Sequence, residues 1–139
     1  MTTLLDSSIL VAALVEGEAH HEECFALATQ GGHMVLEHAL VETFSTLTGG
    51  RTFARVPPDT AAAAIAGCTR DFLTVIHLTG AEIVQMLEEC SARGIRGGAV
   101  HDFRHLKAAS LHQAAKLYTL NLRHFLAFCR PGDPEVLLP

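Results

Sequence analysis

Short apolar runs alternate with helical stretches along the whole chain, and this alternation most restricts what the chain can fold into. Thr3-Leu4-Leu5 reads as a short buried strand ending at Asp6. His33 to Leu36, Leu73 to Leu78, Lys116 to Leu120 and Val136-Leu137 read as four more. Between them the spacing predicts helices. One is capped by Ser7 or Ser8 and runs through Leu14; a second runs from Glu18 to Thr29 and stops at Gly31-Gly32. A third covers Ala39 to Leu47, with Leu40, Val41, Phe44 and Leu47 at helical spacing, and Pro57-Pro58-Asp59 opens a fourth. Thr79 caps a helix bearing Ile83, Val84, Leu87 and Cys90, and a long helix is expected from about Val100 to Ala115. Parallel strands need crossover connections of this kind, whereas antiparallel ones do not. The expected fold is therefore α/β, with three layers, α/β/α, and a mainly parallel central sheet. No repeat, linker or low-complexity tract divides the 139 residues, so 1–139 is expected to form a single domain.

Composition excludes several classes. Hydrophobic residues make up 49% of the chain, too many for a disordered one. No apolar stretch approaches the ~20 residues of a membrane span. The apolar start lacks a basic region and is interrupted by Asp6, so it is expected to be part of the fold and not a leader. Cys24, Cys68, Cys90 and Cys129 are scattered without a CxxC pair, which predicts reduced thiols and a cytoplasmic protein. The formal charge of −5 gives no support to nucleic-acid binding by itself, but its distribution is uneven. No Lys or Arg precedes Arg51, while Asp6, Glu16, Glu18, Glu22, Glu23, Glu37 and Glu42 all do. Carboxylates gathered around a divalent cation have their local field inverted once it binds, so a negative sum is compatible with a metal-dependent nuclease.

Parallel sheets place ligand sites at the carboxyl ends of their strands. That rule singles out Asp6, at the end of the first strand, and Asn121, at the end of the Lys116–Leu120 strand. Asp6 follows two leucines and precedes an apolar helix, where a carboxylate is costly unless something uses it. Glu42 lies among Leu40, Val41 and Phe44. Asp102 falls in the first turn of the long helix, where the helix dipole favours an ionised carboxylate. Each alone reads more readily as a cap, an edge charge or a buried hydrogen-bonded group than as a functional residue; the three together, one at a strand end, are a stronger combination.

These residues carry a resemblance. Leu4-Leu5-Asp6-Ser7-Ser8-Ile9-Leu10 resembles the opening motif of PIN domains, and Glu42 within Leu40-Val41-Glu42-Thr43-Phe44 matches their second acidic position. Gly97-Gly98-Ala99-Val100-His101-Asp102 matches the third, and Thr119-Leu120-Asn121-Leu122-Arg123-His124-Phe125 the closing one. The four stand in the family's order over nearly the whole chain, whose compact length is similar to the VapC toxin branch. The resemblance implies a ribonuclease dependent on Mg2+, with Mn2+ able to substitute. It implies Asp6, Glu42, Asp102 and Asn121 as catalytic residues, with Asp6, Asp102 and Glu42 holding metal. Asn121 stands where the family often has aspartate, and a neutral amide oxygen cannot act as a base. The resemblance also implies an RNA substrate, a small VapB-like antitoxin and a homodimer. Arg51, Arg55 and Arg123 are candidate phosphate contacts, Arg104 and Lys107 could serve likewise, and Ser8 is either a helix cap or a hydrogen-bond partner of the acidic group.

Other readings compete. His20 with Cys24, and His101 with His105, are four apart and could bind zinc, but a matching second pair is not evident. A non-catalytic PIN-like binding module with a decayed metal site is the main alternative. A phosphotransfer domain using Asp6 is disfavoured, for want of an Asp-x-Asp pair or a Gly-rich phosphate loop.

Overall fold

Leu4 and Leu5 are both fully buried, yet they belong to different hydrophobic clusters. Successive strand side chains point to opposite faces, so a strand buried on both sides must lie inside a sheet covered twice. A computed structural model describes residues 2–50 and 55–139. Its strands are β1 (Thr3–Leu5), β2 (His33–Leu36), β3 (Leu73–Ile76), β4 (Lys116–Tyr118) and β5 (Glu135–Leu137). They form one sheet in the order β3-β2-β1-β4-β5, in which every pairing is parallel. The sheet is thus wholly parallel, where the sequence predicted a mainly parallel one.

The helices are α1 (Ser7–Leu14), α2 (His21–Thr29), α3 (Glu37–Thr48), α4 (Pro58–Asp71), α5 (Gly80–Arg93), α6 (Ala99–Leu111) and α7 (Leu122–Leu126). Leu5 and Val35 pack with Ile9 and Leu10 of α1, Cys24 and Ala28 of α2, and Ala39 of α3. On the other face Leu4, Met34, Leu36 and Leu117 pack with Met86 of α5, Phe103 and Leu106 of α6, and Phe125 of α7. Full burial of such a side chain contributes about 1.5–3 kcal/mol, so both helical layers are firmly held. The strict in–out alternation of β1, β2 and β4 fixes the register, since a one-residue slip would exchange the two cores.

Several local expectations change. Asp6, not Ser7 or Ser8, is the N-cap of α1: its side chain accepts from the Ser8 and Ile9 amides. A carboxylate at the end of a buried strand thereby satisfies two otherwise orphaned donors. The second helix begins at His21 and not Glu18, because His20 adopts a left-handed conformation, φ 65°. The long helix ends at Leu111, four residues early, with the chain turning through Gln113 at φ 58°. The five-residue α7 was not expected at all. Thr79 caps α5 as predicted, in a reciprocal capping box with Glu82.

Candidate acidic site at the carboxyl edge of the sheet

From β1 the sheet grows outward through β2 to β3, then restarts on the other side with β4 and β5. This reversal leaves a crevice between the carboxyl ends of β1 and β4, the place where open α/β sheets bind ligands. Leu5 is in register with both Val35 and Tyr118, so Asp6 and Thr119 emerge side by side. The backbone confirms the junction: the Asp6 amide donates to the Tyr118 carbonyl at 3.2 Å.

Ser8 ties the two strand ends together. Its hydroxyl donates to Asp6 Oδ1 at 2.5 Å and accepts from the Leu120 amide at 2.9 Å. Asp6 Oδ1 also receives the Ser8 amide at 3.0 Å and the Ile9 amide at 3.3 Å, leaving Asp6 only 2% exposed. The buried Thr119 hydroxyl accepts from the Asn121 amide at 2.9 Å, which sets the turn into α7. The Asn121 side chain is exposed at this edge.

Asp102 reaches the same place from the first turn of α6. Burial, followed by the nearby Asp6 carboxylate, holds the Asp102 carboxyl above the usual range; Glu42 adds a smaller push, opposed by His105 and His124. Like charges confined together resist ionisation, and Asp102 carries that conflict. Its Oδ2 lies 3.5 Å from His124 Nδ1, an exposed ring on α7.

Glu42, from the middle of α3, is held differently. Its Oε1 meets Nε2 of the fully buried His105 at 3.0 Å and lies 3.8 Å from Nε2 of His38. Burial alone would raise this carboxyl, but the His105 hydrogen bond and the charges of His105, His38 and His101 hold it below the usual range. His38 stacks on His101 with ring centroids 5.5 Å apart. His101 and His105 therefore do face a second i,i+4 pair, His38 and Glu42. Even so, among the described residues no three His, Cys, Asp or Glu side chains converge on a point that a metal could occupy. The other zinc candidate pair is divided, with His20 exposed and Cys24 fully buried, its thiol pushed up to about 11 by burial first and then by Glu23 and Asp6. All four cysteines are free.

The basic candidates are spread out. Arg51 lies outside the described residues. Arg55 is exposed beyond α3, and Arg123 is exposed on α7, two residues from Asn121. Arg104 is taken by Glu37 at 3.1 Å, and Lys107 by Glu89. A feature that sequence reasoning missed is a cavity of about 570 Å³ beside Asp102, bounded by the turn from α5 to α6 and by α7. Arg96 and His124 line it. Arg96 lies only six residues before Asp102, but without α7 nothing in the sequence encloses that turn. His105 was missed in its present role because its partner, Glu42, is 63 positions away.

The donors of this edge are carboxylate and amide oxygens, the set preferred by hard cations. Magnesium retains several waters and takes one or two carboxylates, so it does not need a complete protein cage. Asp6 and Asp102, whose mutual repulsion a cation would relieve, fit that requirement. Among the described residues no helix is long and apolar enough to cross a membrane.

No protein-family model matches the sequence, and no curated protein matches it. Solved structures do. Mycobacterium tuberculosis VapC20, a toxin that cleaves the sarcin–ricin loop, superposes with a TM-score of 0.73 at 20% identity, over 95% of this chain and 99% of that one. Rickettsia felis VapBC2, bound to a DNA fragment from its promoter, gives 0.69 at 15% identity, over 100% and 99%. DNA-bound VapBC from Salmonella typhimurium gives 0.66 at 21%, over 99% and 97%. The chain has the fold of these VapC PIN-domain toxins.

Proposed function

We propose that the chain is a divalent-metal-dependent endoribonuclease, hydrolysing phosphodiester bonds in RNA as the toxin of a type II toxin–antitoxin pair. The observation that carries this reading is the pairing of Asp6 and Asp102 at the switch point of a fold shared with VapC toxins, with Asp102 driven above its usual range by burial and by Asp6. Asp6 and Asp102 hold the ion, Mg2+ with Mn2+ able to substitute. When bound, such an ion polarises a phosphoryl oxygen and lowers the pKa of an attacking water. Glu42, kept ionised by His105 and His38, stands at the margin of the pair to orient water or add a ligand. Ser8 fixes the rotamer of Asp6, and Asn121 supplies a neutral oxygen at the rim. Arg55, Arg123 and Arg51 are the phosphate contacts of this reading.

The partner in this reading is a small VapB-like antitoxin. An apolar groove between α3 and α4, lined by Leu40, Val41, Phe44 and Ile65, leaves Val41 63% exposed. Such a groove fits the apolar face of a partner helix. A cytoplasmic homodimer of the toxin completes the proposal.

The alternative, a non-catalytic PIN-like binding module, draws on Asn121 and on the commitment of Glu42 to His105. Cleavage of a labelled RNA panel by purified protein separates the two. Cutting supported by Mg2+ or Mn2+, abolished by EDTA and lost in Asp6→Ala and Asp102→Ala, is the expected result. A folded protein that cuts nothing with either ion would overturn the enzymatic reading.

A further inference from the structure

Asp102 also forms the edge of a cavity whose other walls the proposed chemistry does not use. The cavity of about 570 Å³ begins at Asp102 and extends under the turn joining α5 to α6. That volume is within the ~300–1,000 Å³ typical of small-ligand sites. Its walls combine two characters. Ile95, Ala127 and Phe128 supply apolar surface, and Arg96, His124 and Asp102 supply polar groups.

The two arginines of the cavity have different states. Arg93 is committed: its guanidinium makes a double ion pair with Asp133, at 2.6 and 3.0 Å, and lies over the Phe103 ring at 5.0 Å. It is a fixed wall. Arg96 is exposed and, among the described residues, has no ion-pair partner. A guanidinium without an ion pair, in a partly apolar cavity edged by Asp102, suits a ligand with one anionic and one flat apolar part.

The geometry points to this cavity as the subsite for the nucleotide adjoining the scissile phosphate, its base against Ile95 and Ala127 and its phosphate on Arg96. This rests on the ribonuclease reading above and makes the α5–α6 turn a determinant of which RNA is cut. A base held against apolar side chains recurs in nucleotide pockets, and a bidentate guanidinium–phosphate pair recurs in phosphate recognition. Gly98 is a position of the wall open to substitution: its φ is −63°, and a Cβ there would meet nothing within 4 Å. A larger side chain is therefore accommodated by the backbone and occupies the open space.

The test has two arms. In the first, amide chemical shifts of the metal-free protein are followed during titration with the four nucleoside 5′-monophosphates and with inorganic phosphate. The expected result is movement of the Arg96, Gly98 and Ala127 amides with at least one nucleotide, greater than with phosphate, and abolished in Arg96→Glu and Gly98→Leu. Amides that do not move, or that move equally with phosphate, overturn the nucleotide assignment. In the second arm, RNA cleavage by Arg96→Ala should show KM raised about tenfold with kcat within about twofold, the scale of one lost charged hydrogen bond. Arg70→Ala, which removes an exposed charge from α4 in the opposite layer, should leave both unchanged. An unaltered KM in both Arg96→Ala and Gly98→Leu would refute the subsite in an active enzyme. If the parent protein cuts no RNA, the ribonuclease reading fails on that ground, while the shift titration still decides the subsite.

Discussion

Removing the Ser8 hydroxyl should unfasten the junction on which the site is built. Ser8→Ala deletes a hydrogen bond to the Asp6 carboxylate at 2.5 Å and leaves the Leu120 amide without its 2.9 Å acceptor. A bond to a charged group contributes about 1.5–3 kcal/mol, and a buried orphaned amide costs about 1–3 kcal/mol. Ser8 is only half-buried, so water replaces part of each. A net loss of about 2–3 kcal/mol follows, without loss of the α1 cap, since Asp6 keeps the Ser8 and Ile9 amides. For a domain of this size that is roughly 6–12 °C in Tm. Urea unfolding of Ser8→Ala, Ser8→Thr and the parent reads the effect, with m unchanged. Exposed Ser110, whose side chain makes no hydrogen bond among the described residues, serves as control, and Ser110→Ala should stay within about 0.5 kcal/mol. A Ser8→Ala loss no larger than the control's would refute the role assigned to this hydroxyl.

Three further outcomes follow from the charges. Asp102 has a folded pKa above its unfolded one, so its ionised form destabilises the metal-free fold at neutral pH, a cost relieved as pH falls through the raised value. Asp102→Asn should therefore melt above the parent in EDTA, and a lower Tm would contradict the electrostatic account. Glu42 is the reverse case: its folded pKa is depressed, so its contribution is present above the ordinary carboxylate range and disappears as pH falls through the lowered value. In metal-free protein, His105→Ala should move the Glu42 carboxyl titration upward by carbon NMR; an unmoved curve would show that His105 does not hold it. Asp133→Ala breaks a pair whose side chains are only 15% and 13% exposed, and should cost about 3 kcal/mol in denaturant unfolding. A loss below about 1 kcal/mol, the scale of a surface pair, would refute the structural role given to Arg93.

Much of this fold is legible in the sequence because period-2 burial on both faces leaves few choices for Leu4-Leu5 or Met34-Val35-Leu36. Glycines and caps mark most helix ends, as at Thr79 and Gly94. Asp6 stands directly after β1 as expected, whereas β4 closes at Tyr118, two residues before the expected Leu120, and Asn121 is the N-cap of α7 and not a strand end. The cap of α1 was misassigned because Asp6, Ser7 and Ser8 are all good capping residues and only the backbone chooses among them. The five residues of α7 are too short to show a helical period. Contacts between distant segments were invisible for a different reason: Glu42 meets His105 through helix packing, and Arg96 and His124 line one cavity through the placement of α7, which no local pattern encodes. The all-parallel order of the strands likewise depends on β5, three residues whose partner cannot be read from their own composition.

Calorimetric titration of Mn2+ into metal-free protein, in the parent and in Asp6→Asn, Asp102→Asn and Arg70→Ala, reads whether Asp6 and Asp102 together hold a cation. The acidic pair should bind Mn2+ in the parent and in Arg70→Ala, with binding lost or weakened at least about tenfold in both aspartate variants. Equal binding by the parent and Asp102→Asn, or no binding by the folded parent, would show that the two aspartates are not a metal site.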